Sequence, residues 1–240
     1  MSKDIFKFKQ FIIRQDKCAM KVGTDGVLLG AWVNLNFAPQ TAFYRFLDVG
    51  TGAGIIALML AQRKEDAFID AIEKDVDAYS QCFRNIQDSL FERRIYPKPL
   101  ALQEFEADTL YDLTVSNPPY FSGSLKSPDD KRNTARHNDD LPLKILIEKS
   151  LKMLTDKGRI ALILPVKSAE ELDVLIATNK LYIVRRTDVI TVEGLEPKRF
   201  MIELARHQVQ NPVFNTITLE TKEHKKTKEY QELTKNFYLE

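Results

Sequence analysis

The amino-acid sequence predicts an α/β fold: a doubly wound, mostly parallel sheet of seven strands, closed by a C-terminal antiparallel hairpin, with helices on both faces. Three observations carry this reading. From Phe43 onward short β-rich runs alternate with helical stretches, the pattern of parallel strands joined by crossover helices. The first of these runs passes directly into a glycine-rich turn that opens a helix. Beyond Leu164 the spacing changes, because two extended runs are separated only by a loop with Gly194 and Pro197, too short for a crossover.

Taken in order, the predicted strands are 44–49, 68–73, a weaker run at 97–102, then 111–116, 159–164, 181–191 and 200–207. Helices are predicted at 55–62, 75–89 and 143–154, where apolar residues recur at helical spacing. Ahead of this core, 44–207, lies an extension of residues 1–43. Within it Phe6-Lys7-Phe8-Lys9 alternates with period two. Residues 121–140 show no periodicity and follow a strand end, and are expected to be a flexible loop, either a functional lid or disordered. Residues 208–240 read as a polar tail, whose cluster Lys222, Lys225, Lys226 and Lys228 is a solvated face.

The 240 residues suit one large domain, and 44% hydrophobic with 29% charged residues places the chain among soluble globular proteins. No apolar run approaches about 18 residues, and the early lysines leave no room for a signal core. Cys18 and Cys82 form no metal-binding pair, so a reducing cytoplasm is expected, with no membrane and no metal. Only three histidines are present, and neither His-Glu-x-x-His nor Gly-x-Ser-x-Gly occurs. Catalysis by this chain therefore calls for an organic cofactor.

Net charge is +1, so affinity for a polyanion has to come from a local patch. Residues 1–21 hold six bases, among them Lys7, Lys9 and Arg14, against two acids, interleaved with Phe6, Phe8 and Phe11. Two readings stand: nucleic-acid contact, or a half-buried strand with a solvated lysine face. The loop offers the same choice at Lys131, Arg132, Arg136 and His137: a phosphate-binding segment or a solvated one.

The motif Leu47-Asp48-Val49-Gly50-Thr51-Gly52-Ala53-Gly54 carries the first chemistry. Gly50, Gly52 and Gly54 can take turn conformations and present bare peptide groups to a ligand at a strand end. A dinucleotide fingerprint places its third glycine one residue later, and here an aspartate precedes the first, which favours S-adenosylmethionine over NAD. Asp48 suits an ammonium, directly or through water. Glu73 ends the second strand at the same sheet edge and suits two vicinal ribose hydroxyls.

The most specific segment is Asn117-Pro118-Pro119-Tyr120, directly after the strand 111–116. An exocyclic amine on a nucleobase is a poor nucleophile, because its lone pair is delocalised into the ring. The Asn117 amide oxygen and the Pro118 carbonyl can each accept one N–H bond and hold such a nitrogen in line with an incoming methyl. Pro118 and Pro119 stiffen the turn, and Tyr120 offers a face on which an unpaired base can stack.

This segment resembles the Asn-Pro-Pro-Tyr motif of amino-group methyltransferases, and the sheet is similar to that of the Rossmann-like class I enzymes. The stretch Phe8-Lys9-Gln10-Phe11, followed by residues 18–32 (Cys-Ala-Met-Lys-Val-Gly-Thr-Asp-Gly-Val-Leu-Leu-Gly-Ala-Trp), looks like the N-terminal signature of bacterial tRNA(Val) adenine-37 N6-methyltransferases. Ala135-Arg136-His137 and Phe237-Tyr238-Leu239 are also similar to that family, so the likeness spans nearly the whole chain. The resemblance implies one methyltransferase domain, S-adenosylmethionine as cofactor and tRNA as partner, with Lys21, Gly23, Thr24 and Asp25 lining the methionine end. The family's usual acid after the third strand is replaced here by Leu102 and Gln103. Gln103 is either a hydrogen-bond partner of the cofactor's adenine, with Leu102 against the ring, or merely solvated. The same motif also serves protein-glutamine N5-methyltransferases and rRNA guanine-N2 methyltransferases. The glutamine enzymes are expected to carry an N-terminal helical domain, for which residues 1–43 leave too little chain. A non-catalytic RNA-binding protein would have no need of intact 50–54 and 117–120 motifs.

Overall fold

The computed structural model describes residues 4–16, 22–37, 39, 41–119 and 141–239. A two-stranded hairpin, β1 (Ile5–Lys7) and β2 (Ile12–Arg14), precedes helix α1 (Thr24–Trp32). The central sheet begins at β3 (Tyr44–Val49) and continues through α2 (Ile55–Arg63), β4 (Ala67–Ile72), α3 (Val76–Gln87), β5 (Ile95–Lys98) and β6 (Tyr111–Ser116). Then come α4 (Leu143–Met153), β7 (Leu154–Pro165), α5 (Ala169–Thr178), β8 (Tyr182–Val192), β9 (Arg199–Ala205), β10 (Val213–Glu220) and α6 (Lys228–Thr234).

The sheet order is β10-β8-β9-β7-β6-β3-β4-β5. All pairings are parallel except those of β9, which runs antiparallel between β7 and β8. The predicted hairpin is therefore present, in a sheet of eight strands where seven were expected. The added strand is β10, in what reads as a polar tail. Its Ile217 and Leu219 are buried while Val213 and Phe214 overhang into solvent, so half the strand lacks the apolar alternation that betrays one. The tail also holds α6, capped by Thr227, whose hydroxyl accepts from the Tyr230 amide. The weak strand at 97–102 is displaced to β5, which pairs only with β4; at a sheet edge Pro97 has no ladder bond to lose.

Alternation along the strands feeds two cores. Ala161 and Ile163 of β7 face α1, α2, α3 and the N-terminal hairpin, whereas Ile160, Leu162 and Leu164 face α4 and α5. Helix α1 is buried from Gly26 to Trp32, so it shows no amphipathic period. It packs against α2 where glycine permits: a Cβ on Gly30 would meet the Met59 sulfur at 2.8 Å. Arg63 of α2 then donates to the carbonyls of Gly30 and Val33 and satisfies the C-terminal end of α1.

Candidate active site

Register brings the chemistry to one line. Val49 pairs with Ile72 on one side and with Ser116 on the other, so Gly50, Glu73 and Asn117 leave three adjacent parallel strands side by side. The Ser116 hydroxyl donates to the Val49 carbonyl at 2.8 Å and locks two of these strand ends together.

The glycine turn is held from beneath. Gly50 and Gly52 have φ of +68° and +57°, and nothing stands within 4 Å of where their Cβ atoms would be. Gly54, at +87°, instead faces Cys82 of α3, whose sulfur would lie 3.0 Å from a Cβ. Two of the three predicted glycines thus present open backbone, while Gly54 serves helix packing and does not line the cleft. Asp48 is likewise a brace. One carboxylate oxygen accepts from the Thr51 hydroxyl at 2.6 Å and the Ala57 amide at 3.1 Å, and the residue does not line the cleft as the ammonium reading expects. Its other oxygen is buried without a partner among the described residues, and burial pushes the carboxyl up to about 7. Glu73 accepts from the Gly52 amide and the Asp75 amide, both at 2.9 Å. Asp75 in turn caps α3 through the Ala78 amide.

A cleft of about 390 Å³ opens above this turn. Gly23, Thr24 and Asp25 wall it on one side, Gly50 and Gly52 form its floor, and Asn117 and Pro118 close the other side. A smaller cavity continues from it, sharing Gly50 and Pro118 and adding Glu73, Leu102, Gln103 and Pro119. Leu102 is 3% exposed, packed as an adenine-facing wall would be. The structure therefore joins both halves of the predicted cofactor site. Lys21, Tyr120, Arg132, Arg136, His137 and the whole loop 121–140 lie outside the described residues.

Arg199 lines the cleft and was not singled out by the sequence reading. β9 is antiparallel, so its first residue, not its last, reaches the active edge, opposite Pro165 of β7. Arg199 pairs with Asp25 at 2.5 Å, donates to the Thr191 hydroxyl at 3.3 Å and lines the cleft. Burial nonetheless raises the Asp25 carboxyl above its ordinary range, the pairing opposing it. The sole signal in the sequence was topological: a base at the start of a reversed strand.

The predicted basic patch divides. Lys7 lines a large groove together with Phe6, Tyr230 and Tyr238. Lys9 is tied to the chain end, its ammonium donating to the Lys235 carbonyl at 2.8 Å. Arg14 sits elsewhere, paired with Asp88 at 3.4 Å in a cleft that also holds Asp4, Asp16 and Arg84, where acids outnumber bases. Phe8 and Phe11 are 4% exposed and stacked on each other, as the half-buried strand reading expects.

Comparison with known proteins decides the family. The methyltransferase small domain family matches residues 27–172. A protein of Parabacteroides distasonis, named tRNA1(Val) (adenine(37)-N6)-methyltransferase, is 46% identical over 100% of this chain and 99% of its own. The chain belongs to this methyltransferase family. Proteins of the same name from Flavobacterium psychrophilum and Trichodesmium erythraeum are 41% and 40% identical, each over 98% of the chain, covering 99% and 97% of their own lengths. Among solved structures, a predicted O-methyltransferase of Agrobacterium tumefaciens matches with a TM-score of 0.67 at 18% identity, over 89% of this chain and 96% of that one. The TYW2 protein of M. jannaschii, in complex with AdoMet, matches at 0.56 and 16%, over 85% and 86%.

The cofactor of this methyltransferase is S-adenosylmethionine, and the cleft fits it. Gly50 and Gly52 leave a cradle that any side chain would fill, Glu73 keeps free lone pairs beside it, and Leu102 supplies an apolar wall at the far end.

Proposed function

We propose that this protein methylates N6 of an adenine in tRNA, at position 37 beside the anticodon of a valine tRNA, acting as one methyltransferase domain in the cytoplasm. Asn117 and Pro118, standing in the wall shared with Gly50 and Gly52, carry this reading. S-adenosylmethionine, when bound, supplies an electrophilic sulfonium methyl. Asn117 accepts one N–H of the target amine and the Pro118 carbonyl the other, which turns the nitrogen lone pair out of the ring plane and toward the cleft. Glu73 binds the ribose hydroxyls. Gly23 to Asp25 flank the methionine end, and Leu102 with Gln103 borders the adenine. No strong base is needed at Asn117, because the proton leaves once the amine has become cationic. Among the described residues no helix is long and apolar enough to cross a membrane.

The full names of the relatives support the substrate, tRNA and adenine together. Incubating unmodified tRNA with enzyme and cofactor, then identifying nucleosides by mass spectrometry, tests it. N6-methyladenosine at position 37 is expected; transfer to a glutamine side chain or to guanine N2 instead would overturn the reading.

A further inference from the structure

Beside the cofactor cleft lies a groove of about 790 Å³, within the range of sites that enclose small ligands, about 300–1,000 Å³. Apart from Thr24 and Arg199, it is built from residues that the mechanism does not use. β1 supplies Phe6 and Lys7, the turn after β10 supplies Lys226, α6 supplies Tyr230, and Tyr238 lies beyond it. Main-chain pairing holds the two ends of the chain together here: Phe8 bridges Tyr238, and the Lys9 amide donates to the Phe237 carbonyl at 2.8 Å.

The groove and the cofactor cleft adjoin, both being lined by Thr24 and Arg199. Three cations, Lys7, Lys226 and Arg199, border it against one acid, Glu220, which is engaged by His224 at 3.0 Å. Aromatic rings line its side. Tyr238 lies 6.0 Å from Phe6 and 5.9 Å, nearly parallel, from Phe8, and its hydroxyl is 3.1 Å from that of Tyr230. Lys226, exposed on a flexible stem, sets its ammonium 4.2 Å from the Tyr238 ring centre. A base taking that place on the ring frees the charge to meet the base's own phosphate.

We propose that this groove receives an unstacked nucleotide of the substrate RNA, the immediate neighbour of the adenine presented at Asn117, with its base on Tyr238 and its phosphate on Lys7 and Lys226. Arg199 stands at the junction, where the backbone passes from groove to cleft. This assignment rests on the tRNA reading above. It places substrate recognition on the joined ends of the chain, apart from the strand ends that hold the cofactor.

The test is a coupling measurement on the full chain. Unmodified tRNA is compared with tRNA made abasic at either neighbour of the target adenine, using wild-type enzyme and Tyr238→Leu, which keeps the bulk but loses the ring. With intact tRNA, Tyr238→Leu should raise KM about tenfold or more, the usual worth of one stacked base, and Tyr238→Phe should restore it. Removing one neighbouring base should cost wild type the same factor and cost Tyr238→Leu nothing further. Lys226→Ala, at an exposed site that cannot upset folding, should lower the salt slope of tRNA binding by about 0.7. If both abasic tRNAs penalise Tyr238→Leu as much as wild type, or the slope is unchanged in Lys226→Ala, the groove is not a nucleotide site. If wild type methylates no tRNA while still binding S-adenosylmethionine, it is the substrate reading that fails, and the inference falls with it.

Discussion

The cofactor cleft and the Tyr238 groove adjoin at Thr24 and Arg199, yet they are assembled in opposite ways. Part of the cleft is made of residues that directly follow strand ends, and parallel register sets Gly50, Glu73 and Asn117 beside one another. The groove is made of residues near positions 5–7 and 219–239, which meet because the two ends of the chain pair and pack. Chemistry common to a superfamily can thus reside in short local motifs, while choice of substrate is left to contacts between distant segments.

That division is sharpest in the effect of Asn117→Ala. Asn117 lines the cleft, and in the proposed mechanism its amide positions the acceptor nitrogen, so turnover should drop about a hundredfold or more, with affinity for S-adenosylmethionine and for tRNA nearly intact. Single-turnover kinetics alongside the two binding curves checks it. A loss of tRNA affinity equal to the loss of rate would mean that cleft and groove are not separable. Glu73→Ala should act next most strongly, on the cofactor alone. It removes the proposed ribose acceptor and also releases the Gly52 amide it holds at 2.9 Å. A rise in cofactor dissociation constant of about tenfold to a hundredfold is expected by calorimetry, with the Gln variant between the two.

Asp48 separates the support of the cleft from its lining. Burial raises its carboxyl to about 7, whereas in the unfolded chain it titrates near 3.8. The folded protein therefore holds a proton that the unfolded chain has released, and the Asp48 contribution to stability falls as pH rises from about 4 to about 7. The loss cannot exceed about 1.4 kcal/mol per pH unit. Asp48→Asn, which has no charge to bury, should gain on wild type across that window in thermal or denaturant unfolding. A constant difference between the two proteins at pH 4, 5.5 and 7 would show that the wild-type carboxyl is not perturbed.

How much was legible follows the same line. Strands β3 and β6 and helices α2, α3 and α4 fall within a residue or two of their predicted bounds, because each is a local pattern with its own start and stop. Gly50, Gly52 and Glu73, proposed for the cofactor, were legible because each closely follows a strand, and they line adjoining cavities with Leu102 and Gln103. Gly54 faces Cys82 and Asp48 accepts from Thr51, contacts that spacing alone does not show. Helix α1 was hidden by burial on all sides, and β10 by a half that overhangs into solvent. Arg199 and the groove needed the reversed strand and the meeting of the chain ends, neither of which leaves a mark in any short window of sequence.

The smallest expected effect tests the basic patch. Lys7 and Arg14 sit on the paired strands β1 and β2, within a few residues of each other in register, and composition alone treats them as equivalent. Their surroundings differ: Lys7 borders the groove beside Phe6 and Tyr238, whereas Arg14 shares its cleft with Asp4, Asp16 and Asp88 and one other base, Arg84. A phosphate approaching Arg14 meets a guanidinium already paired at 3.4 Å and two further carboxylates nearby. With a net charge of +1 there is little general attraction to mask a single contact. Lys7→Ala should therefore lower the slope of log tRNA affinity against log salt by about 0.7, the share of one single-strand phosphate contact, and Arg14→Ala should leave it unchanged. Titrations from low to moderate salt resolve this difference. The reverse pattern would move the RNA to the acidic side of the hairpin, away from Tyr238, and would leave the groove without its occupant.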